Sequence, residues 1–131
     1  MKKLFVGVVS LLVAASAAQA DNSAYLGLWK TGDFDGGNSG QVEIAPCEDA
    51  AEQLCGTVVD ATEKYKEAVG MIVIKEMQLN DDGTYHKGRV YAIDFGVWAG
   101  RGKLALDGED LQVTGCIGPL CPKQVWTRPQ D

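Results

Sequence analysis

Residues 71–95 read MIVIKEMQLNDDGTYHKGRVYAIDF, and their pattern decides the fold. Met71 to Leu79 is apolar on both faces near its start, as expected of a strand whose outer face is covered. Asn80-Asp81-Asp82-Gly83 follows, and Asn, Asp and Gly accept the positive φ that a tight hairpin demands. Thr84 to Phe95 then resumes as a long second strand. Two strands joined by so short a turn run antiparallel.

The same period-two pattern continues in both directions. Towards the N-terminus, Leu26 to Thr31, Gln41 to Ile44 and Gly56 to Val59 read as strands. Pro46 ends the second of these, and Glu48 to Leu54 has the length for one helical turn before the third. Asp60 to Ala68 is the helical candidate: Asp60 and Glu63 fit a capping pair, and no β-branched residue follows Thr62. Towards the C-terminus, Gly96 to Gly100 is expected to reverse the chain into Arg101 to Leu106. Asp107-Gly108-Glu109 turns again into Leu111 to Cys116, and Gly118-Pro119 turns into Lys123 to Arg128. Eight antiparallel strands with little helix most economically close into a small barrel, which removes exposed edges.

Composition agrees and narrows the function. The chain has 131 residues, 18 acidic against 12 basic, and a formal charge of −6, so it has room for one domain. An acidic balance argues against a nucleic-acid backbone as partner, since nucleic-acid binders advertise clustered Lys and Arg. Sixteen glycines against four prolines suit many tight turns.

Residues 1–20 read as a targeting segment rather than as structure. Lys2 and Lys3 precede an apolar run from Leu4 to Ala15, and Ala18-Gln19-Ala20 places small residues where a signal peptidase reads. That run is shorter than the roughly 20 apolar residues of a membrane span. Asp21, not cysteine, follows the expected cleavage point, so no lipid anchor and no stable membrane anchor is expected. Removing twenty residues, two of them lysines, leaves a single domain at 21–131 of 111 residues with a charge of −8. The expected location is periplasmic or secreted, in a bacterium.

Cys47, Cys55, Cys116 and Cys121 all follow the targeting segment. In an oxidising compartment four cysteines form two disulfides by one of three connectivities. Local pairing, Cys47 with Cys55 and Cys116 with Cys121, is favoured because each pair straddles a turn. The competing reading is a zinc site, but zinc pairs are usually about two to four residues apart. Here the intervening stretches are seven and four residues, and no Cys-x-x-Cys motif points to redox work.

Three features resemble a known family. Gly27, Trp29 and Thr31 form a Gly-x-Trp-x-Thr start, Gln124, Trp126, Thr127 and Arg128 form a Gln-x-Trp-Thr-Arg close, and Cys47 and Cys55-Gly56 bracket a turn. Ala45-Pro46-Cys47, Gly115-Cys116 and Leu120-Cys121 match further pieces seen in part of the family. The set resembles the bacterial exported domain-of-unknown-function family 2147, over nearly the whole chain after residue 20. The resemblance implies a lipocalin-like barrel in which the final-strand Arg lies against the first-strand Trp. One departure is clear: the family's acid-Pro turn and Gly-Lys-x-Tyr hairpin are replaced here by Asp94-Phe95-Gly96-Val97-Trp98-Ala99-Gly100. Nothing assigned to that hairpin transfers.

Few residues carry chemistry. Trp29, Trp126 and Arg128 are expected to be structural, a cation–π pair between first and last strands contributing about 0.5–2 kcal/mol. His86 is the one histidine; the serines after residue 20 are Ser23 near the new terminus and Ser39 in a turn, so no triad forms and His86 is read as solvent-facing. Asp33-x-Asp35-Gly36-x-Asn38 begins like a calcium loop but holds Gly37 and Ile44 where later ligands belong. Asp81-Asp82 and Glu109-Asp110 sit in turns, where neighbouring carboxylates are solvated freely rather than facing each other in a pocket. No catalytic residue, metal or cofactor is expected.

An aromatic set remains. Tyr85, Tyr91, Phe95 and Trp98 lie on or beside the long hairpin, and the first three share strand parity. They either line a small-molecule pocket or fill the core. The expectation is therefore an all-β, eight-stranded antiparallel barrel with one short helix and two disulfides, not an enzyme, binding a small, partly apolar ligand in the cell envelope through these four residues. The alternative is a protein-interaction module, such as an inhibitor of a secreted hydrolase, using Asp33 to Gly40 or the Phe95–Trp98 tip against an envelope protein.

Overall fold

The computed structural model describes residues 20–32 and 37–130; the targeting segment and most of the Asp33–Asn38 motif lie outside them. Eight strands follow in chain order: β1 Gly27–Lys30, β2 Gly40–Cys47, β3 Ala50–Ala61, β4 Ile72–Leu79, β5 Tyr85–Ala92, β6 Val97–Asp107, β7 Asp110–Cys116 and β8 Lys123–Trp126. Each pairs antiparallel with the next, in one sheet whose spatial order is the chain order. Lys30 N donates to Thr127 O at 2.7 Å and Thr127 N to Lys30 O at 2.9 Å, so the two ends of the sheet meet and the barrel is nearly closed. Closure hides the two edges that an open meander would expose.

Both disulfides pair locally, Cys47 with Cys55 and Cys116 with Cys121. The first staples the β2–β3 hairpin and the second ties the end of β7 to the approach to β8. Short closed loops of this kind contribute about 2–3 kcal/mol each by chain entropy.

Three boundaries differ from the sequence reading. Glu48 to Leu54 makes no helical turn, because Cys47 pairs with Ala50 and Pro46 with Leu54 in a hairpin that overrides local helix propensity. Asp60 and Ala61 stay in β3, and the expected helix shrinks to a 3-10 segment, Glu63–Ala68, bent at Tyr65. Asp60 does not cap it; its carboxylate takes hydrogen bonds from Ala61 N at 2.8 Å and Lys66 Nζ at 3.1 Å, which hold its pKa below the usual range, Lys66 most of all. The reversal after β5 comes at Ile93–Gly96 rather than Gly96–Gly100. Gly96 takes φ 69° there, and the β-prone Val97 pairs at once with Ala92.

A line of bulges bends the central strands. Glu76, Lys87 and Arg101 have φ of 64°, 66° and 49°, one on each of β4, β5 and β6. Each adds a residue to the outer face, so inward positions run Ile74 to Met77, Tyr85 to Gly88 and Ala99 to Gly102. Sharper coiling of this kind lets few strands close a barrel. Met77 fills the space inside the bend: a Cβ on Gly88 would lie 2.7 Å from Met77 Sδ, and one on Gly102 would lie 2.6 Å from Met77 Cε. Only glycine fits at these two inward positions.

Candidate functional site

The two ends of the barrel are built differently. At one end the 3-10 turn Ala20–Tyr25 crosses the opening, and Tyr25 packs edge-on against Tyr85 with ring centroids 5.0 Å apart. Tyr25 Oη donates to Gly83 O at 2.8 Å, Asn22 Nδ2 donates to Tyr85 Oη at 3.2 Å, and Trp29 Nε1 donates to Tyr25 O at 2.9 Å. Burial, then the neighbouring Tyr85, pushes the Tyr25 phenol above its ordinary pKa. Arg128 lies with its guanidinium 3.7 Å from the centre of the Trp29 ring. It also donates to Leu28 O, Ala24 O and Leu26 O at 2.8, 2.9 and 3.0 Å. This end is shut.

The other end is open. A cavity of ≈ 150 Å³ enters the barrel there, between the start of β2, the end of β3, the 3-10 segment, the end of β5 and the start of β8. Val42, Val58, Ala68, Val73, Val90 and Trp126 make its walls, and all but Val90 are buried. Thr31 and Gln124 bring polar atoms among them, but both have partners. Thr31 Oγ1 accepts from Gly40 N at 2.9 Å, and Gln124 Oε1 accepts from Trp126 Nε1 at 2.8 Å. The 3-10 segment is held over the mouth by Thr62, whose hydroxyl donates to Asn38 Oδ1 at 2.8 Å and accepts from Ser39 N at 3.2 Å. An apolar cavity of about this size holds one small ring.

The expected aromatic set divides. Tyr91 and Phe95 line the cavity mouth. Tyr85 does not: it is 1% exposed and belongs to the closed end. Trp98 does not line the cavity either; it stands on the outer wall, edge-on to Tyr91 at 5.4 Å and under Lys75 Nζ at 4.2 Å. The bulge at Lys87 breaks the shared parity of Tyr85 and Tyr91, so Tyr91 sides with Trp98, its partner across the strands, while Tyr85 points inward at the closed end. Trp126, read as structural from sequence, is both core and cavity wall. Its alternation with Gln124 in the closing motif is the signal that places the two on one face.

The titratable groups lie elsewhere. His86 is on the outer wall, half-buried rather than freely solvated, with Nε2 covered and without a hydrogen-bond partner. The Asp81-Asp82 turn is at the closed end, where Thr84 and Asn80 hydrogen bonds hold the Asp82 pKa at about 2. Among the described residues no cluster of three His, Cys, Asp or Glu side chains could hold a metal.

An eight-stranded meander shut at one end by an Arg-capped Trp and open at the other onto an apolar cavity is a lipocalin-like barrel. The chain belongs to the family DUF2147, described as uncharacterized proteins conserved in bacteria, whose model matches residues 27–128. Among solved structures it is similar to a protein from the human pathogen Helicobacter pylori described as belonging to the lipocalin family. The identity is 15%, the TM-score 0.62, and the match covers 81% of this chain and 83% of that one, which shows the fold. No curated protein matches the sequence.

Proposed function

We propose that this protein is a non-enzymatic carrier in the bacterial cell envelope that takes a slim apolar group into the open end of its barrel. The ≈ 150 Å³ apolar cavity carries the reading. It is smaller than the roughly 300–1,000 Å³ of drug-sized pockets. It therefore suits an aromatic ring or the end of an alkyl chain, with any polar part left at the rim near Tyr91, Phe95 and Asp94. The walls offer burial and almost no chemistry, while the histidine and the paired carboxylates sit outside the cavity, which favours binding over catalysis. Two disulfides and the basic-then-apolar start at residues 1–20 support export, with Asp21 as the new terminus.

Native mass spectrometry of the exported protein, with a thermal-shift panel of alkyl and aromatic compounds, tests the reading. A true ligand at a hundred times its Kd adds about 2.7 kcal/mol of stability. Ala68→Phe, which fills the mouth, should abolish the shift. A protein that flies bare and shifts with nothing in the panel is not a carrier. An interaction module is the second reading, favoured by Phe95 standing 69% exposed at the β5–β6 tip. Pull-down from envelope extract with Phe95→Ser as control checks it, and recovery of no partner counts against it.

A further inference from the structure

We propose that the open end of the barrel docks reversibly onto an anionic lipid bilayer, β5–β6 tip first. The inference goes beyond ligand binding and does not depend on the cavity being filled.

Exposed apolar side chains are concentrated at one pole. Of ten large hydrophobics left exposed among the described residues, six stand at the open end, at and before the start of β4, at the β5–β6 tip and in the β7–β8 loop. Ile72, Phe95, Val97 and Leu120 are exposed there, Phe95 and Leu120 most of all at 69% and 70%. A ring of this kind at one end is not needed for the core, since none of the four belongs to the packed interior.

Below that ring on the same strands comes a second layer. Trp98, half-buried beside Tyr91, lies under the Lys75 ammonium, and Lys75 stands directly across from Arg89 on the neighbouring strand. Like charges in facing positions destabilise a sheet. Further along the wall, Lys103 and Lys123 flank Thr114 in one row. Among the described residues none of these four bases has a carboxylate partner. The opposite pole is acidic: Glu48-Asp49, Asp81-Asp82 and Asp107 to Asp110 occupy its three hairpin tips without a single Lys or Arg.

Asp94 at the tip and Glu63 and Glu67 on the 3-10 segment apart, apolar ring, aromatic belt, bases and acidic far pole follow the order of layers in an anionic bilayer: acyl chains, interface, phosphates, water. A soluble polyanion would use the bases and leave the apolar ring without a role. A second copy would bring the uncompensated bases together.

The test uses exported protein purified from an expressing bacterium, and vesicles of phosphatidylglycerol with phosphatidylethanolamine against phosphatidylcholine alone. Trp29 and Trp126 are buried, so a blue shift in tryptophan emission on vesicles reports on Trp98. Co-sedimentation should occur with the anionic vesicles and fall with added salt. Each base near the surface is worth roughly a fivefold change in affinity, so Lys75→Gln with Arg89→Gln should lose roughly twenty-five-fold. Ile72→Ser with Val97→Ser and Leu120→Ser, none of them cavity-lining, should lose tenfold or more, on the order expected for exposed apolar anchors. Absence of binding to anionic vesicles overturns the proposal. So does an apolar variant that binds like the parent while the charge variant does not, which means electrostatic adsorption to any polyanionic surface. Self-association that disappears in the apolar variant, without vesicle binding, overturns it in favour of an interface between copies. Ligand shifts of the parent are read separately, so loss of one reading leaves the other standing.

Discussion

Arg128→Ala should be among the most destabilising surface substitutions in the barrel. The guanidinium makes three hydrogen bonds to backbone carbonyls, at 2.8, 2.9 and 3.0 Å, and stacks 3.7 Å from the Trp29 ring centre. Those carbonyls belong to Ala24, Leu26 and Leu28, so one side chain from the end of the chain holds the plug and β1 together. The stacking contributes about 0.5–2 kcal/mol. Hydrogen bonds from a charged donor contribute about 1.5–3 kcal/mol each when buried, but Arg128 is exposed and water replaces much of that. Together a loss of about 2–4 kcal/mol follows, or about 8–16 °C in Tm for a domain of this length. Arg128→Lys should recover less than half, because an ammonium cannot span three carbonyls and lie flat on an indole. Urea denaturation with disulfides intact measures it. A change below about 0.5 kcal/mol for Arg128→Ala would refute the reasoning, and the closed end would then owe its stability to Tyr25 and Tyr85.

Gly88→Ala should destabilise by roughly 1–3 kcal/mol, since the new Cβ would sit 2.5 Å from Lys75 O and 2.7 Å from Met77 Sδ; chemical denaturation reads it, and an unchanged midpoint would mean the bend is soft. Asp82 has a folded pKa of about 2 against 3.8, so its stabilisation is complete above pH 4 and is lost as pH falls through 2. Asp82→Asn should therefore flatten the pH dependence of Tm between pH 4 and 2, and parallel curves for variant and parent would dismiss the Thr84 and Asn80 hydrogen bonds as its source.

The meander was legible because its punctuation is local. Asn80 to Gly83 and Asp107 to Glu109 mark hairpins whatever surrounds them, and with eight alternating runs they leave few alternatives to a barrel. The Gly-x-Trp start and Trp-Thr-Arg close likewise carry their contact in residue type, an Arg cation and a Trp face. What escaped was long-range. Glu48 to Leu54 has the length for one helical turn until Cys47 is bonded to Cys55, and Asp60 reads as a cap until Lys66 takes its carboxylate.

The cavity was hidden for a deeper reason. Val58, Val73 and Val90 look like any inward alternants, and whether such residues meet or leave a gap depends on how the sheet coils. That coiling is set at Glu76, Lys87 and Arg101, three charged residues whose positive φ no propensity announces. The same bulges put Tyr91 on the face of Trp98 rather than that of Tyr85, at the rim that Phe95 shares. Stability and access are thereby separated. One pole is locked by Arg128, Trp29 and Tyr25. The other is covered only by a bent 3-10 segment whose first turn has no side-chain cap. Segments with so few buried contacts open at low cost while the rest of a domain stays folded. On the carrier proposal, a molecule enters past Tyr65 and Ala68 without any loosening of the end that holds the barrel closed.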